Sequence, residues 1–293
     1  YNLENCSYLT IKYDQGGNQL WEKRYIGPAS YSDWASSMVV DDSDHIYVTG
    51  CSYGNGTSGD IATVKYDSDG NQLWEKRYNG PENGMDCGAD ITMDKLNNVY
   101  VTGESWGGMT GRDYVTIKYD SQGNQLWVKT FDGGVNLSDS ASAVFVDRSN
   151  NVYFTGASCN QTGNFDYLTI KYDQDGNPVW TQRYNGPGNA DDRARAVAVD
   201  DSDNVYVTGE SYGGTTDFDY LTIKYIQTTC GNVNQDETID IEDIVFLINF
   251  ILKDGPAPYP PKTGDVDGDG IIDLSDVVFL IQYLYQGGPR PCS

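Results

Sequence analysis

Short runs of alternating apolar and polar residues fill most of the chain before residue 226. Runs such as VYVTG at 205–209 and YLTIKY at 167–172 place every second side chain on the same side of an extended chain. Clusters of Asp, Ser, Asn and Gly separate these runs and are typical of tight turns. The pattern therefore predicts short antiparallel strands joined by turns.

The strand pattern repeats every 53 residues. Each repeat holds four strands, labelled A to D: a small-residue strand such as 194–199, an alternating strand such as 205–209, a YLTIKY strand and a strand such as 73–78. This is the pattern of a propeller blade, so we predict an all-β propeller of four 53-residue, four-stranded blades over residues 1–225. The repeated positions are Lys12, Lys65, Lys118, Lys171 and Lys224; Trp21, Trp74, Trp127 and Trp180; Tyr47, Tyr100, Tyr153 and Tyr206.

The strand count exceeds what four blades need. Strand C occurs five times and the other strands four times, which gives 17 strands where four blades hold 16. An unpaired strand tends to recruit another chain. One hypothesis is therefore that residues 1–25 complete a blade, or add to a sheet edge, in a neighbouring copy, giving a head-to-tail homo-oligomer or filament. The alternative is an extra edge strand that lies on its own propeller.

Asp-rich turns lie between the strands of each repeat. Segments such as 67–71 (DSDGN) and 173–177 (DQDGN) have acids at alternate positions, but neither continues to the distant carboxylate of a twelve-residue calcium loop. Ordinary β-turns are the better interpretation. His45 lies in a similar turn and is the single histidine of the chain, which excludes metal sites built on several histidines.

Two acidic segments, 33 residues apart, follow the end of the strand pattern. Alternate positions of a tight loop direct oxygen ligands at one point, and a last carboxylate comes from the first turn of a helix, as Ca²⁺ requires. The sequence predicts two Ca²⁺ ions, the second bound more tightly because five Asp side chains surround it, against three Asp and two Asn in the first. The predicted ligands are Asn232, Asn234, Asp236, the Thr238 carbonyl, Asp240 and Asp243; and Asp265, Asp267, Asp269, the Ile271 carbonyl, Asp273 directly or through a water, and Asp276.

Each acidic segment precedes a helix-length apolar run, at 244–252 and 277–285. Only Asn249 and Gln282 interrupt these runs, so both helices are apolar on almost every side. Two short helices can cover only one side of each other. We therefore expect another surface to cover the rest, either the chain's own propeller or a partner molecule.

The two parts of the chain resemble two known families. The pattern DYLTIKYD, GNQLW and AVAVDDSDNVYVTG over residues 7–225 resembles the SBBP-type β-propeller repeats of bacteria, which implies a secreted propeller and supplies no reaction. Residues 230–289 resemble a type I dockerin, which implies calcium loops and a cohesin-like partner. Cellulosomal dockerins commonly carry Ser-Thr where this chain has Ile241-Glu242 and Leu274-Ser275. We place the dockerin-like domain at 226–293.

The charge balance limits the classes of partner that the chain is expected to bind. With 19 Lys and Arg against 43 Asp and Glu, the net charge is −24, which disfavours binding to nucleic acid or anionic membranes. No apolar run reaches the length of a membrane-spanning helix, so we expect no membrane insertion. Because the sequence opens at Tyr1 without Met or a leader, we expect a mature product of the extracellular space or cell surface.

Six cysteines without CxxC spacing favour disulfides in an oxidising compartment. Cys230 and Cys292 bracket the calcium loops and are predicted to pair, and Cys51 is predicted to join Cys87 of the next blade. Cys6 and Cys159 would then pair with each other or between subunits, leaving no free thiol. Four sequons offer glycosylation sites, at Asn5, Asn55, Asn136 and Asn160.

Two classes of function fit these features. We favour a non-catalytic structural protein, in which the propeller is a building block of an extracellular assembly and the calcium domain is its docking module. The alternative is a polysaccharide-binding or polysaccharide-degrading propeller tethered to a cohesin scaffold. Glu104 and Glu210 could supply the pair of carboxylates that glycoside hydrolysis needs. Their counterparts in the other repeats are Cys51 and Ala157, which favours a structural role.

Overall fold

A computed structural model describes residues 6–29, 31–201, 203–215, 217–225, 230–234, 236, 238–258, 263–289 and 291. The helices are α1 (Ile241–Lys253) and α2 (Leu274–Gln286). The strands are β1 (Tyr8–Tyr13), β2 (Gln19–Tyr25), β3 (Asp33–Val40), β4 (Ile46–Tyr53), β5 (Gly59–Tyr66), β6 (Gln72–Tyr78), β7 (Cys87–Met93), β8 (Val99–Trp106), β9 (Arg112–Tyr119), β10 (Gln125–Phe131), β11 (Asp139–Val146), β12 (Val152–Cys159), β13 (Phe165–Tyr172), β14 (Pro178–Tyr184), β15 (Asp192–Val199), β16 (Val205–Tyr212) and β17 (Phe218–Tyr225).

The strands form five antiparallel sheets in chain order. Sheets 2, 3 and 4 each contain four strands, ordered A-B-C-D: β3 to β6, β7 to β10 and β11 to β14. Among the residues that the structure describes, sheet 1 consists of strands C and D (β1 and β2), and sheet 5 consists of strands A, B and C (β15 to β17). Four-stranded blades followed by a helical domain are thus confirmed, and the strands of one blade are divided between the two ends of the array.

The three residue types that repeat every 53 positions meet in each four-stranded sheet. In sheet 2, the Lys65 ammonium lies 4.7 Å from the centre of the Tyr47 ring, and the Trp74 ring is 5.7 Å from the same ring. The Lys65 Nζ and the Trp74 Nε1 both donate to the Ser121 carbonyl of sheet 3, each at 3.2 Å. The repeated Lys, Tyr and Trp therefore hold one sheet to the turn of the next.

Apolar side chains fill the space between neighbouring sheets. One cluster joins Tyr47 and Ile61 of sheet 2 to Ile91, Val101 and Ile117 of sheet 3, and all five are buried. The A strand of each of sheets 3, 4 and 5 contacts the A and B strands of the preceding sheet. The array is therefore stabilised mainly by apolar burial between successive sheets.

The Asp-rich segments between strands are β-turns, as the sequence predicts. In the turn between β5 and β6, Asp67 Oδ1 accepts from the backbone N–H groups of Asp69 and Asn71, and Asp67 Oδ2 accepts from the Asn71 amide. In the turn between β3 and β4, Asp41 accepts from the His45 N–H and its Oδ2 lies 2.9 Å from His45 Nδ1. His45 is thus part of a turn.

A buried aspartate ties the loop after each D strand to the end of a neighbouring B strand. The Asp86 carboxylate is fully buried and accepts from Gly80 N at 2.7 Å, Ser105 Oγ at 2.5 Å and Trp106 N at 3.1 Å. The same position is held by Asp33, Asp139 and Asp192, which accept from Gly27, Gly133 and Gly186. We call these four residues the hub aspartates.

The stability of the sheets should depend on pH in two opposite directions. Burial raises the pKa of Asp86 and Asp139, so the folded state holds their protons to higher pH than the unfolded state does, and stability falls as pH rises through that window. Hydrogen bonds lower the pKa of turn residues such as Asp67 and Asp173, whose contribution is lost as pH falls. Urea unfolding in excess calcium should therefore show greatest stability near the ordinary aspartate pKa of roughly 4. Asp86→Asn should flatten the decline toward neutral pH; an unchanged profile would contradict this assignment.

The cysteines follow the predictions in part. Cys51 of β4 and Cys87 of β7 form a disulfide between sheets 2 and 3, with their Cα atoms 4.5 Å apart. Cys6 and Cys159 do not pair with each other, because Cys6 precedes β1 in sheet 1 and Cys159 ends β12 in sheet 4, with two sheets between them. Their pairing between subunits stays a prediction. Cys230 is disulfide-bonded, and Cys292, its predicted partner, lies outside the described residues.

The contacts divide the chain into two compact units. One consists of Tyr1–Val199 and Tyr206–Lys224, and the other of Asp200–Val205 and Tyr225–Ser293. The predicted boundary between residues 225 and 226 stays a prediction, because residues 226–229 are outside the described part. Neither α1 nor α2 is long and apolar enough to cross a membrane, and the described residues contain no other candidate.

Candidate calcium-binding and docking domain

The two helices begin at aspartates that serve as N-caps. Asp240 caps α1 by accepting from Glu242 N at 2.7 Å, and Asp273 caps α2 by accepting from Ser275 N at 2.7 Å. Each helix thus begins three residues earlier than its apolar run, because the capping aspartate satisfies N–H groups that have no partner within the helix. Both capping residues are predicted calcium ligands.

The helices end in the same way as each other. Asp254 adopts a left-handed backbone after α1, and Gly287 does so after α2. The next residue in each case donates its N–H back to the helix, from Gly255 to the Asn249 carbonyl and from Gly288 to the Gln282 carbonyl, at 3.0 Å. The domain is therefore a structural duplication with the 33-residue spacing seen in the sequence.

The duplication extends into the core of the domain. Three residues from each half form a single buried cluster, and each residue of the first half has a counterpart 33 positions later: Val233, Ile244 and Leu247; Val266, Val277 and Leu280. Six buried apolar side chains are a small core for a domain of this length.

The last predicted ligand of each loop is fully buried and fixed by backbone donors. Asp276 Oδ1 accepts from Val266 N at 2.6 Å and Asp267 N at 3.2 Å, while its Oδ2 accepts from Asp273 N at 2.8 Å. Asp243 has the same three contacts, with Val233, Asn234 and Asp240. Burial raises the pKa of both carboxyls. These backbone hydrogen bonds alone thus hold each carboxylate against the loop that precedes its helix.

The oxygen groups of the loops fit a hard cation. In the second loop, carboxylate oxygens of Asp265, Asp267 and Asp276 all lie within 4.8 Å of one another. In the first, the Oδ1 of the buried Asn232 has no hydrogen-bond partner among the described residues. A buried oxygen without a donor is costly unless a cation or water binds it. The donors are all oxygens, which Ca²⁺ prefers.

The remaining predicted ligands lie in the same loops, nearer the solvent. Asp236 accepts from Thr238 N and from the Asn234 amide, so these residues are brought together. Asp269 accepts from Ile271 N at 2.8 Å, which bends the second loop at the residue whose carbonyl is a predicted ligand. The full set of twelve predicted ligands, and the number of ions, stay predictions.

The helices also carry a duplicated exposed surface. Each presents three apolar residues to solvent at matching positions, again 33 residues apart, and we call these two sets the twin apolar faces: Ile241, Val245 and Leu252; Leu274, Val278 and Tyr285. Contiguous exposed apolar side chains commonly mark an interaction surface. The expectation that the helices present uncovered apolar sides is thus seen in the described residues.

The two glutamates considered for glycoside chemistry are both engaged in ion pairs. Glu104 pairs with Arg112, and Glu210 pairs with Arg195 at 2.7 Å. Glu104, Arg112 and Arg195 line a cavity of about 370 Å³ that also includes Arg193 and Asp139. Each carboxylate thus has an arginine partner, as is typical of structural ion pairs.

One acidic cluster escaped the sequence analysis. Oxygens of Asp113, Asp132 and Asp139 lie within 4.8 Å of one another in sheets 3 and 4. In the neighbouring repeats Arg77 pairs with Asp60 and Arg183 pairs with Asp166, whereas the corresponding residue here is Thr130. The loss of that arginine is the signal that a comparison of repeats could have detected.

The sequons differ in accessibility. Asn55 and Asn136 are exposed in loops, whereas the Asn160 amide donates to Asp166 Oδ1 at 2.8 Å and is half-buried. Asn5 lies outside the described residues. Glycosylation stays a prediction at all four positions.

Comparison with known proteins supports both halves of this architecture. Residues 231–285 match the model of the Dockerin type I domain, and residues 23–56 and 179–219 match the Beta-propeller repeat model. An uncharacterized WD repeat-containing protein, L264, of Acanthamoeba polyphaga mimivirus is 25% identical over 165 residues, half of this chain and 11% of that protein. The chain thus spans about a ninth of the length of that relative.

Solved structures give weaker matches. A subtype N11 neuraminidase-like protein of A/flat-faced bat/Peru/033/2010 is 10% identical, covering 74% of this chain and 68% of its own, with a TM-score of 0.39. A levansucrase mutant of B. megaterium is 12% identical, covering 73% and 69%, with a TM-score of 0.37. Scores of this size bear on neither activity nor ligand. The family matches and the duplicated helical domain together identify this chain as a set of SBBP β-propeller repeats followed by a type I dockerin domain.

Proposed function

We propose that this chain is a non-catalytic extracellular propeller that a cohesin-like partner holds through the calcium-stabilised dockerin domain. The observation that supports it best is the pair of twin apolar faces on helices that begin in oxygen-lined loops. Calcium fixes the loops, the loops fix the helices, and the helices present the apolar faces. Docking should therefore depend on calcium. An extracellular location fits the disulfide between Cys51 and Cys87.

The docking surface can be tested by disrupting the twin faces one at a time and together. We expect full-length protein to bind immobilised type I cohesin modules in calcium and to be released by EGTA. Val245→Asp or Val278→Asp alone leaves one face intact and should weaken binding only slightly. The double variant should abolish binding, because a buried carboxylate without a partner is costly. Leu126→Asp, on the exposed side of β10, is the matched control. Undiminished binding by the double variant would contradict the proposal.

Self-association of the propeller is a second candidate, favoured by one specific observation. Within the described part of the chain, sheet 5 has no D strand and sheet 1 has no A or B strand. Residues 1–25 contain the D strand β2, so the hypothesis that this segment adds to a neighbouring copy has a matching acceptor in β17. Polysaccharide binding has no comparable support, since Glu104 and Glu210 are occupied by arginines.

A further inference from the structure

The two ends of the sheet array expose residues that the same array buries elsewhere. Tyr220 of β17 is 100% exposed, whereas Tyr8, Tyr114 and Tyr167 at the same repeat position are at most 1% exposed. Thr208 of β16 is exposed, although its counterparts on β4, β8 and β12 are fully buried. We call Tyr220 and Thr208 the tail face. It is the surface on which, in every other sheet, the next sheet packs.

The opposite end of the sheet array, at β3, also exposes residues whose counterparts in other sheets are buried. Met38 of β3 is 52% exposed, whereas Ile91 and Val144 at the same position are 5% and 6% exposed. Trp34 and Val40 on the same strand are also exposed. β3 is the A strand of sheet 2, and the described residues of sheet 1 include no A or B strand to cover it. A cavity of about 220 Å³ separates β1 from Met38 and Val40. We call Trp34, Met38 and Val40 the head face.

The strands at the two ends are interchangeable in sequence. β1 and residues 220–225 of β17 share the hexapeptide YLTIKY, and β2 and β6 share the heptapeptide QLWEKRY. All four paired C strands align with their D strands in one register, in which the repeated Lys faces the repeated Trp: Lys12 with Trp21, Lys65 with Trp74, Lys118 with Trp127 and Lys171 with Trp180. β17 can therefore pair with β2 through the side chains and register that β1 uses.

β17 is already arranged as a C strand. The Lys224 ammonium lies 5.5 Å from the Tyr206 ring, as the equivalent lysines lie over Tyr47, Tyr100 and Tyr153, and Thr222 Oγ1 is 2.9 Å from Thr208 Oγ1. No strand among the described residues pairs with its outer side. A flat edge strand in this state is a template for a further strand. The head and tail faces are exposed together in a single chain, so the strands that the structure describes do not complete this blade.

Resting on the second candidate above, we propose that copies of this chain join head to tail through a composite blade. Sheet 5 of one copy supplies strands A, B and C, β2 of the next copy supplies strand D, and β17 displaces the β1 of identical sequence. In that blade Tyr220 occupies the position of Tyr8, whose hydroxyl donates to the Ala62 carbonyl at 3.2 Å. The A and B strands cover Met38. Replacing β1 by β17 thus buries the head face and the tail face together. Because the contact is head to tail, it can repeat from copy to copy and need not close into a ring.

Sedimentation velocity of the full chain in calcium tests this geometry. Wild-type protein should form larger species as its concentration rises. Tyr220→Glu and Met38→Glu should each weaken association by about 100-fold or more, since each buries a charge without a partner. Leu126→Glu, at a position exposed in every repeat, should behave like wild type. An equimolar mixture of Tyr220→Glu and Met38→Glu should form dimers and nothing larger, because each copy keeps one working face.

Deletion of residues 1–13 tests strand exchange by the direction in which it changes assembly. If β17 displaces β1, removing β1 removes the competitor, and assembly should begin at lower concentration. Weaker assembly after the deletion would overturn strand exchange, and a strictly monomeric wild type would overturn self-association itself. Asp276→Ala should leave assembly unchanged. If assembly were instead lost with Asp276→Ala or with EGTA, and were insensitive to Tyr220→Glu, the dockerin domain would be responsible for association. That result would overturn the composite blade.

Discussion

Removing calcium is expected to unfold the dockerin domain while the sheets stay folded. The domain has six buried apolar side chains in its core, and a core of this size rarely supplies more than about 3–5 kcal/mol. Each bound ion adds about 4 kcal/mol when free calcium is 1,000 times the dissociation constant. Without the ions, the five aspartates of the second loop also repel one another. Binding therefore supplies most of the folding free energy.

Hydrogen exchange followed by mass spectrometry can locate this effect within the intact chain. On addition of EGTA, peptides covering α1 and α2 should lose protection, while peptides from β4 and β5 keep theirs. Asp267→Ala should raise the calcium needed for protection more than Asn234→Ala, because the predicted ligands of the second loop include more carboxylates. Persistent protection of both helices in EGTA would show that the apolar core alone suffices.

Replacing Asp86 by alanine is expected to destabilise the sheets by about 3–6 kcal/mol, because it leaves buried donors unsatisfied. The backbone N–H groups of Gly80 and Trp106 and the Ser105 hydroxyl all lose their acceptor. These groups lie at the junction between the loop after β6 and the end of β8, so water cannot replace the carboxylate without opening the junction. Neighbouring hub aspartates are untouched.

Urea unfolding followed by tryptophan fluorescence measures this cost. Asp69→Ala, in the exposed turn between β5 and β6, is the matched control and should change stability by less than about 0.5 kcal/mol. Asp86→Asn keeps an acceptor oxygen and should fall between the two. If Asp86→Ala were no worse than Asp69→Ala, the hub aspartates would not be the structural ties that their hydrogen bonds indicate.

Local features of this fold could be predicted from the sequence because each is encoded within a few residues. Alternation predicts the strands, Asp and Gly predict the turns, and the loop pattern predicts a helix after each acidic segment, although α1 and α2 begin three residues before the predicted apolar runs. The spacing of 53 residues also places Cys51 near Cys87. These features depend on local sequence and on the position of each residue within the repeat, and both can be determined from the sequence.

The rest depends on which sheet each strand joins, and identical sequences cannot encode that choice. β1 and β17 share their hexapeptide, so no local pattern says which of them pairs with β2. The hub aspartates were missed because a single Asp in a glycine-rich loop resembles a solvated turn residue until its partners on the next B strand are known. A bond between Cys6 and Cys159, one of the two pairings that the even cysteine count allowed, is ruled out by the two sheets that separate them.

The disulfide between Cys51 and Cys87 makes one junction of the array different from the others. Sheets 2 and 3 are joined covalently, whereas the junctions between sheets 3 and 4 and between sheets 4 and 5 rely on packing and hydrogen bonds among the described residues. Under tension applied along the chain from its dockerin end, the covalent junction cannot separate. Mechanical failure should then begin at a junction held by packing and hydrogen bonds alone, and the pair of sheets that carries the head face should be the last to separate.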